Sequence, residues 1–277
     1  MISAQDVNKL RQMTGAGMMD CKKALTEANG DFEKAIEILR KKGQKVSASR
    51  IDKEAREGSV FVRVSDDHRE AVLVALNCET DFVAKNESFQ QLGQLIADAA
   101  YQHKPADITA LLNLKAGDLT IQDKIVELVG KIGEKVEISA YEHLKGEAVV
   151  SYIHAGAKLG VLVALKGLNG ISEAILTAGK DVGMQIAAMN PVAVDEKSVD
   201  PALLEKELEI AKAQVLAEGK PENMVEKIAQ GKLQKFLKEN TLLAQAFVKD
   251  NSKTVGQYLN EVSKSLTVAE FRRVTIG

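Results

Sequence analysis

The sequence predicts an α+β protein: a small three-helix unit, a duplicated α/β core with small antiparallel sheets, and an antiparallel helical hairpin inserted in the second copy. Three observations carry this. Apolar residues in 1–45 recur at helical spacing. The pentapeptide VLVAL occurs at 72–76 and again at 161–165. Residues 201–218, PALLEKELEIAKAQVLAE, show heptad-like apolar spacing before a turn at Gly219-Lys220-Pro221. The chain's 277 residues, about 1.8 times a ~150-residue domain, fit two or three units.

In residues 1–45, Ser3 and Asp6 are candidate caps for a first helix, with Val7, Leu10 and Met13 on one stripe. Thr14-Gly15-Ala16-Gly17 breaks it. A second helix carries Met18, Cys21, Leu25 and Ala28, and Asn29-Gly30 stops it. Asp31 can cap a third, with Phe32, Ala35, Ile36 and Leu39 in the i, i+3, i+4, i+7 pattern. Arg40, Lys41, Lys42 and Lys45 suit the negative end of its dipole. Residues 46–57 are polar and unpatterned, and read as a linker with some helical character.

The first core repeat is expected at 58–145 and the second at 146–277. Each reads as a hairpin containing VLVAL, one or more helices ending before Pro105 or Pro191, and a closing strand at 136–138 or 271–276. Helices would cover one face of each small sheet. The second repeat is longer because of the insertion, expected at about 196–237. There Leu204, Leu208, Ala211 and Val215 face Met224, Ile228, Leu233, Phe236 and Leu237 across the turn.

Composition narrows the function. Lys plus Arg is 37 and Asp plus Glu 39, a net charge of −2, which argues against a basic nucleic-acid-coating face. Aromatics are 4% with no Trp, so a base-stacking platform is not expected. Cys21 and Cys78 read as free thiols of a reducing compartment. The first residues show no targeting pattern, and no run approaches ~18 apolar residues. A soluble, cytoplasmic protein is expected. Phosphate-loop, dinucleotide and nucleophile-elbow signatures are lacking. His68, His103, His143 and His154 are scattered without metal-ligand spacing, so neither metal nor cofactor is expected. Function is expected to lie in contact with a partner.

Three strings stand out. Asn77-Cys78-Glu79-Thr80-Asp81-Phe82-Val83-Ala84-Lys85 follows the first VLVAL as a strand-to-helix turn, with Thr80 as N-cap. Asp81 there suits the helix dipole. Phe82 joins the Phe89, Leu92, Ile96 stripe if one helix runs unbroken, and is then core. Cys78 as a nucleophile would need His68 or His154 as its base; a small buried hydrophobe is the plainer reading. Ser151-Tyr152-Ile153-His154 opens a loop between two strands, where His154 is either solvated or functional. Both strings fall at the same end of their repeats, so two loops of one scaffold could act on one partner. Leu10, Met18 and Met19 form a third candidate, as core filler or as a protein-contact surface.

At these strings the sequence resembles bacterial elongation factor Ts, a family of nucleotide-exchange factors for the translational GTPase elongation factor Tu. The resemblance rests on Thr14-Gly15-Ala16-Gly17-Met18-Met19-Asp20-Cys21-Lys22-Lys23-Ala24-Leu25, on residues 77–85, on Ser151-Tyr152-Ile153-His154 and on Ser252-Lys253-Thr254-Val255-Gly256-Gln257, in order along the whole chain. It implies a ubiquitin-associated-like three-helix domain, two related core halves and an inserted helical hairpin. It implies that Thr80, Asp81, Phe82 and Val83 disturb the partner's Mg²⁺ site, with Phe82 as a wedge. It implies that His154 acts near the partner's phosphate-binding loop, and that Leu10, Met18 and Met19 dock on its GTPase domain. The partner is then elongation factor Tu, GDP-bound and nucleotide-free, with higher-order assembly of the complex left open. No covalent chemistry, direct nucleic-acid contact or membrane contact is implied.

The loop after His154 varies in length among relatives. Some relatives continue past the last strand into a helix, a contact expected to be missing beyond Gly277. Two readings compete: a ubiquitin-associated-like interaction module at 1–45 without exchange activity, and a Cys78/His154 hydrolase.

Overall fold

The computed structural model describes residues 2–277. Helix α1 (Ala4–Thr14) starts with Ser3 and Asp6 capping one another and ends at Gly15, whose φ of 65° is left-handed. Helix α2 (Met18–Glu27) follows, and Asp31 caps α3 (Phe32–Ser49). Val7, Leu10, Cys21, Ala24, Leu25, Ala28 and Ala35 form their core. The expected linker at 46–57 is shorter than predicted. Helix α3 runs on to Ser49, and Val46 packs on the core of the first repeat. That partly buried side chain, with Gly43 packed close against residues 126–130, ties this part of the helix to the first repeat.

The first repeat contains β1 (Glu57–Val64), β2 (Glu70–Cys78), α4 (Asp81–Ala84), α5 (Glu87–His103), α6 (Ile108–Leu112), the two-residue strands β3 (Lys115–Ala116) and β4 (Leu119–Thr120), α7 (Ile121–Ile132) and β5 (Val136–Lys145). The second contains β6 (Ala148–Ile153), β7 (Leu159–Lys166), α8 (Glu173–Met189), α9 (Pro201–Ala217), α10 (Glu222–Asn240), β8 (Ala246–Phe247), β9 (Asp250–Thr254), α11 (Val255–Val262) and β10 (Thr267–Thr275). The antiparallel sheets are ordered β1-β2-β5 and β10-β7-β6. Each VLVAL strand is the centre of its sheet.

That position explains a run without polar alternation: both faces are buried. Val72, Val74 and Leu76 pack with Phe89 and Ile96 of α5. Val161, Val163 and Leu165 pack with Ala178, Val182 and Ile186 of α8. The alternate residues Leu73, Ala75, Leu162 and Ala164 meet in a third core between the sheets. The prediction assigned one covered face to each sheet; the other is covered by the second sheet, giving helix, sheet, sheet and helix layers. The approach is close: a Cβ on Gly160 would lie 2.6 Å from Val60 Cγ1.

The repeats correspond down to their caps. Helix α5 ends at Lys104 (φ 49°) before Pro105, and α8 at Asn190 (φ 44°) before Pro191. Thr120 caps α7 in a capping box with Asp123, and Thr254 caps α11 with Gln257. The hairpin α9–α10 lies between Pro191 and β8. It closes through Ala211, Val215, Val225 and Ala229, and runs to Asn240, past the expected end at 237. Leu237, Val199 and Ala193 root it. Among the described residues, no helix is long and apolar enough to cross a membrane.

Candidate functional site

Strand β2 ends at Cys78, and Thr80 caps the single turn of α4 by accepting from the Val83 N–H at 3.4 Å. Lys85 closes that turn, and Asn86 starts α5 by accepting from the Ser88 N–H at 2.9 Å. The helix is therefore broken between Phe82 and Phe89, so Phe82 leaves the core stripe and is 82% exposed. Its neighbours Val83 and Ala84 are buried and anchor the turn. The core reading of Phe82 fails for that reason. The Lys85 ammonium bonds Asp81 at 2.7 Å and holds its carboxyl below the usual range.

His154 stands exposed on the β6–β7 loop. The loop folds on itself: the Ala157 N–H donates to the His154 carbonyl and the His154 N–H to that of Leu159, both at 2.9 Å. The Tyr152 hydroxyl lies 3.1 Å from His154 Nδ1. The loop then touches the first repeat. The Val60 N–H donates to the Ala157 carbonyl at 2.7 Å, and Lys158 pairs with Glu57 at 2.6 Å. Lys158 also adds to the lowering of the Asp81 carboxyl. The Thr80–Val83 turn and the His154 loop thus share one end of the double sheet.

The N-terminal candidates divide. Met18 and Met19 are exposed, whereas Leu10 is fully buried. Leu10 as a docking contact is corrected: it sits mid-helix, where α1 meets α2 and α3, and has no surface to offer. Met13 takes the opposite course. Placed on the core stripe by spacing, it is exposed near the end of α1, beside Met18 and Met19 in sequence. Its position one residue before the Thr14-Gly15 break was the available signal.

Cys78 cannot serve as a nucleophile. It is fully buried and bonds the Thr80 carbonyl at 3.2 Å. Burial, then the charges of Glu134 and Glu57, push its thiol up to about 12, so the thiolate is scarce at neutral pH. This removes the Cys78/His154 hydrolase. Among the described residues, no group of three His, Cys, Asp or Glu is placed to hold a metal.

The family model described as Elongation factor TS matches residues 79–277. Full-length relatives extend the likeness through the N-terminal helices. The chain is 56% identical over 276 residues to elongation factor Ts of Amoebophilus asiaticus, covering 100% of this chain and 99% of that one. It is 55% identical over 277 residues to elongation factor Ts of Cytophaga hutchinsonii, with the same coverage. Against elongation factor Ts of Clostridium perfringens it is 44% identical over 284 residues, covering 100% of this chain and 93% of the relative. A module confined to residues 1–45 accounts for none of the match over 79–277. The chain belongs to the elongation factor Ts family.

Proposed function

We propose that the protein is a guanine-nucleotide exchange factor of translation elongation, acting in the cytoplasm on the GTPase elongation factor Tu. Family membership supports the activity. The observation that carries the mechanism is Phe82, a large apolar side chain 82% exposed on one helical turn with buried neighbours. Left in water, its apolar surface is unfavourable, and a partner cleft would recover that energy.

In this mechanism Met18 and Met19, joined by Met13, dock on the GTPase domain. Phe82 wedges between partner helices, with Thr80, Asp81 and Val83 supporting the turn. His154 reaches the region of the phosphate-binding loop. Mg²⁺ demands near-ideal octahedral geometry, so a helix shift of ~1 Å misplaces one of its ligands in the partner. Losing the metal weakens the hold on GDP. The factor binds both GDP-bound and nucleotide-free partner, the latter more tightly, and linkage requires that it weaken GDP binding by the same ratio. No bond is made or broken. A higher-order assembly of the complex would use Leu216 and Met224, exposed near the hairpin tip.

The test follows release of a fluorescent GDP analogue from elongation factor Tu against excess unlabelled GDP. Substoichiometric protein should accelerate release catalytically, and Phe82→Ala should slow it at least about tenfold, or ~1.4 kcal/mol of barrier, with the fold intact. No acceleration by the parental protein removes the exchange reading. A parental rate in Phe82→Ala removes the wedge.

A further inference from the structure

The Thr80–Val83 turn and the loop before β5 are held together by two carboxylates, one from each side, reaching in opposite directions. Residues 133–135 connect α7 to β5. From there Glu134 reaches back, its Oε2 accepting from the Thr80 N–H at 3.1 Å and its Oε1 from the Thr80 hydroxyl at 2.9 Å. In return, Glu79 Oε1 accepts from the Lys135 N–H at 2.7 Å. The clasp extends to the end of the N-terminal unit. Glu79 pairs with Arg50 at 3.4 Å, and the Lys135 ammonium donates to the carbonyls of Ile51 and Lys53, each at 3.1 Å.

A single helical turn is not stable alone, because nucleation costs more than one turn returns. The pose of α4 must be imposed from outside. Burial of Val83 and Ala84 fixes one side, and Thr80 fixes the start. The Thr80 hydroxyl has one proton and two lone pairs. With the proton given to Glu134, a lone pair is left to receive the Val83 N–H. Without Glu134 the hydroxyl can rotate, the Thr80 N–H loses its acceptor, and the cap loosens.

We infer that Glu134 is a positioning residue for exchange, holding Thr80 and through it the pose of Phe82. The inference rests on the wedge reading above. Glu79 completes the clasp from the other side and ties it to Arg50.

The experiment measures maximal release rate and half-saturating concentration for Glu134→Ala, Glu134→Gln, Thr80→Val and the double variant Glu134→Ala/Thr80→Val, with Phe82→Ala alongside. Glu134→Ala should lower the maximal rate about tenfold, or ~1.4 kcal/mol. The half-saturating concentration should change less than about threefold, because Met18 and Met19 dock elsewhere. Glu134→Gln keeps one acceptor oxygen and should recover part of the rate. The double variant should be little worse than Glu134→Ala, as expected of residues in one network. Amide hydrogen exchange on the free protein should show faster exchange at Thr80 and Val83 in Glu134→Ala.

A parental maximal rate in Glu134→Ala while Phe82→Ala is impaired overturns this inference and leaves the wedge standing. Multiplicative losses in the double variant also overturn it. A parental rate in Phe82→Ala overturns the wedge itself. If Glu134→Ala loses its fold by circular dichroism, Glu134→Gln decides: a lowered maximal rate supports the inference and a parental one overturns it.

Discussion

Glu70 opens β2 at the opposite end of that strand from Thr80, and its side chain is 13% exposed among two lysines and a histidine. Lys104 lies 2.7 Å away, His143 2.6 Å and Lys145 3.1 Å. Burial alone would raise its pKa, but the hydrogen bonds from Lys104, His143 and Lys145 prevail and hold it down at about 2. The folded value lies below the unfolded one, so the clamp is fully stabilising above pH ~4.5 and fades as the pH falls toward 2. Urea midpoints of the parental protein and Glu70→Gln should differ most above pH ~5 and converge on acidification. A gap that does not change between pH 7 and 2.5 would refute the assignment. None of this was legible in the sequence, because His143 is 73 residues from Glu70 and only the β2–β5 register, which sets Lys145 opposite Glu70 and His143 opposite Val72, brings them together. The same limit explains Leu10 and Met13. Spacing put both on one stripe, and only the packing of α2 and α3 decides which is covered.

Elements were more legible where local chemistry sets them. Ser3, Asp31 and Thr80 all act as the caps their residue types suggest. The break after α4 was harder: Lys85-Asn86 is not an emphatic stop, and the apolar spacing continues through it. What the sequence could not reveal was how near each helix lies to its sheet. Gly93 is the seventh residue of α5 and Gly179 the seventh of α8, and both face strands at close range. A Cβ on Gly93 would fall 2.1 Å from Phe61 Cε2, inside the core; a Cβ on Gly231 in α10 would meet nothing within 4 Å. The same substitution should therefore have opposite signs. Gly93→Ala should cost about 1–3 kcal/mol through overpacking. Gly231→Ala should gain about 0.5–1 kcal/mol by reducing the entropy lost on folding. Chemical denaturation of the two variants checks both, and a stabilised Gly93→Ala would contradict the close contact of α5 with β1.

At the scale of the molecule, the question is what fixes the distance between the N-terminal methionines and Phe82. A linker at 50–56 alone would let the three-helix unit roam, and each contact with a partner would form nearly independently. Helix α3 prevents this by lying on α7. A Cβ on Gly130 would sit 2.6 Å from Gly43 Cα, and one on Gly43 would sit 3.2 Å from the Val126 carbonyl oxygen. The helices thus meet backbone to backbone, beside the Arg40–Glu127 pair at 3.3 Å. In the sequence these glycines look like weak points of two unrelated helices; their meaning is tertiary. In the proposed mechanism the rigid contact would make docking and wedging one event, with the second site delivered at high effective concentration. Gly130→Ala forces backbone against backbone and should lift α3 away. The half-saturating concentration for exchange should rise about tenfold, or ~1.4 kcal/mol, while the maximal rate falls less than in Glu134→Ala, because the Glu134–Thr80 bonds remain although lifting α3 draws Arg50 away from Glu79. Limited proteolysis should then cut within 50–56, where the parental protein resists. Cleavage without loss of affinity would mean that the partner tolerates variable spacing. Unchanged affinity and unchanged resistance would mean that α3 keeps its place by other contacts.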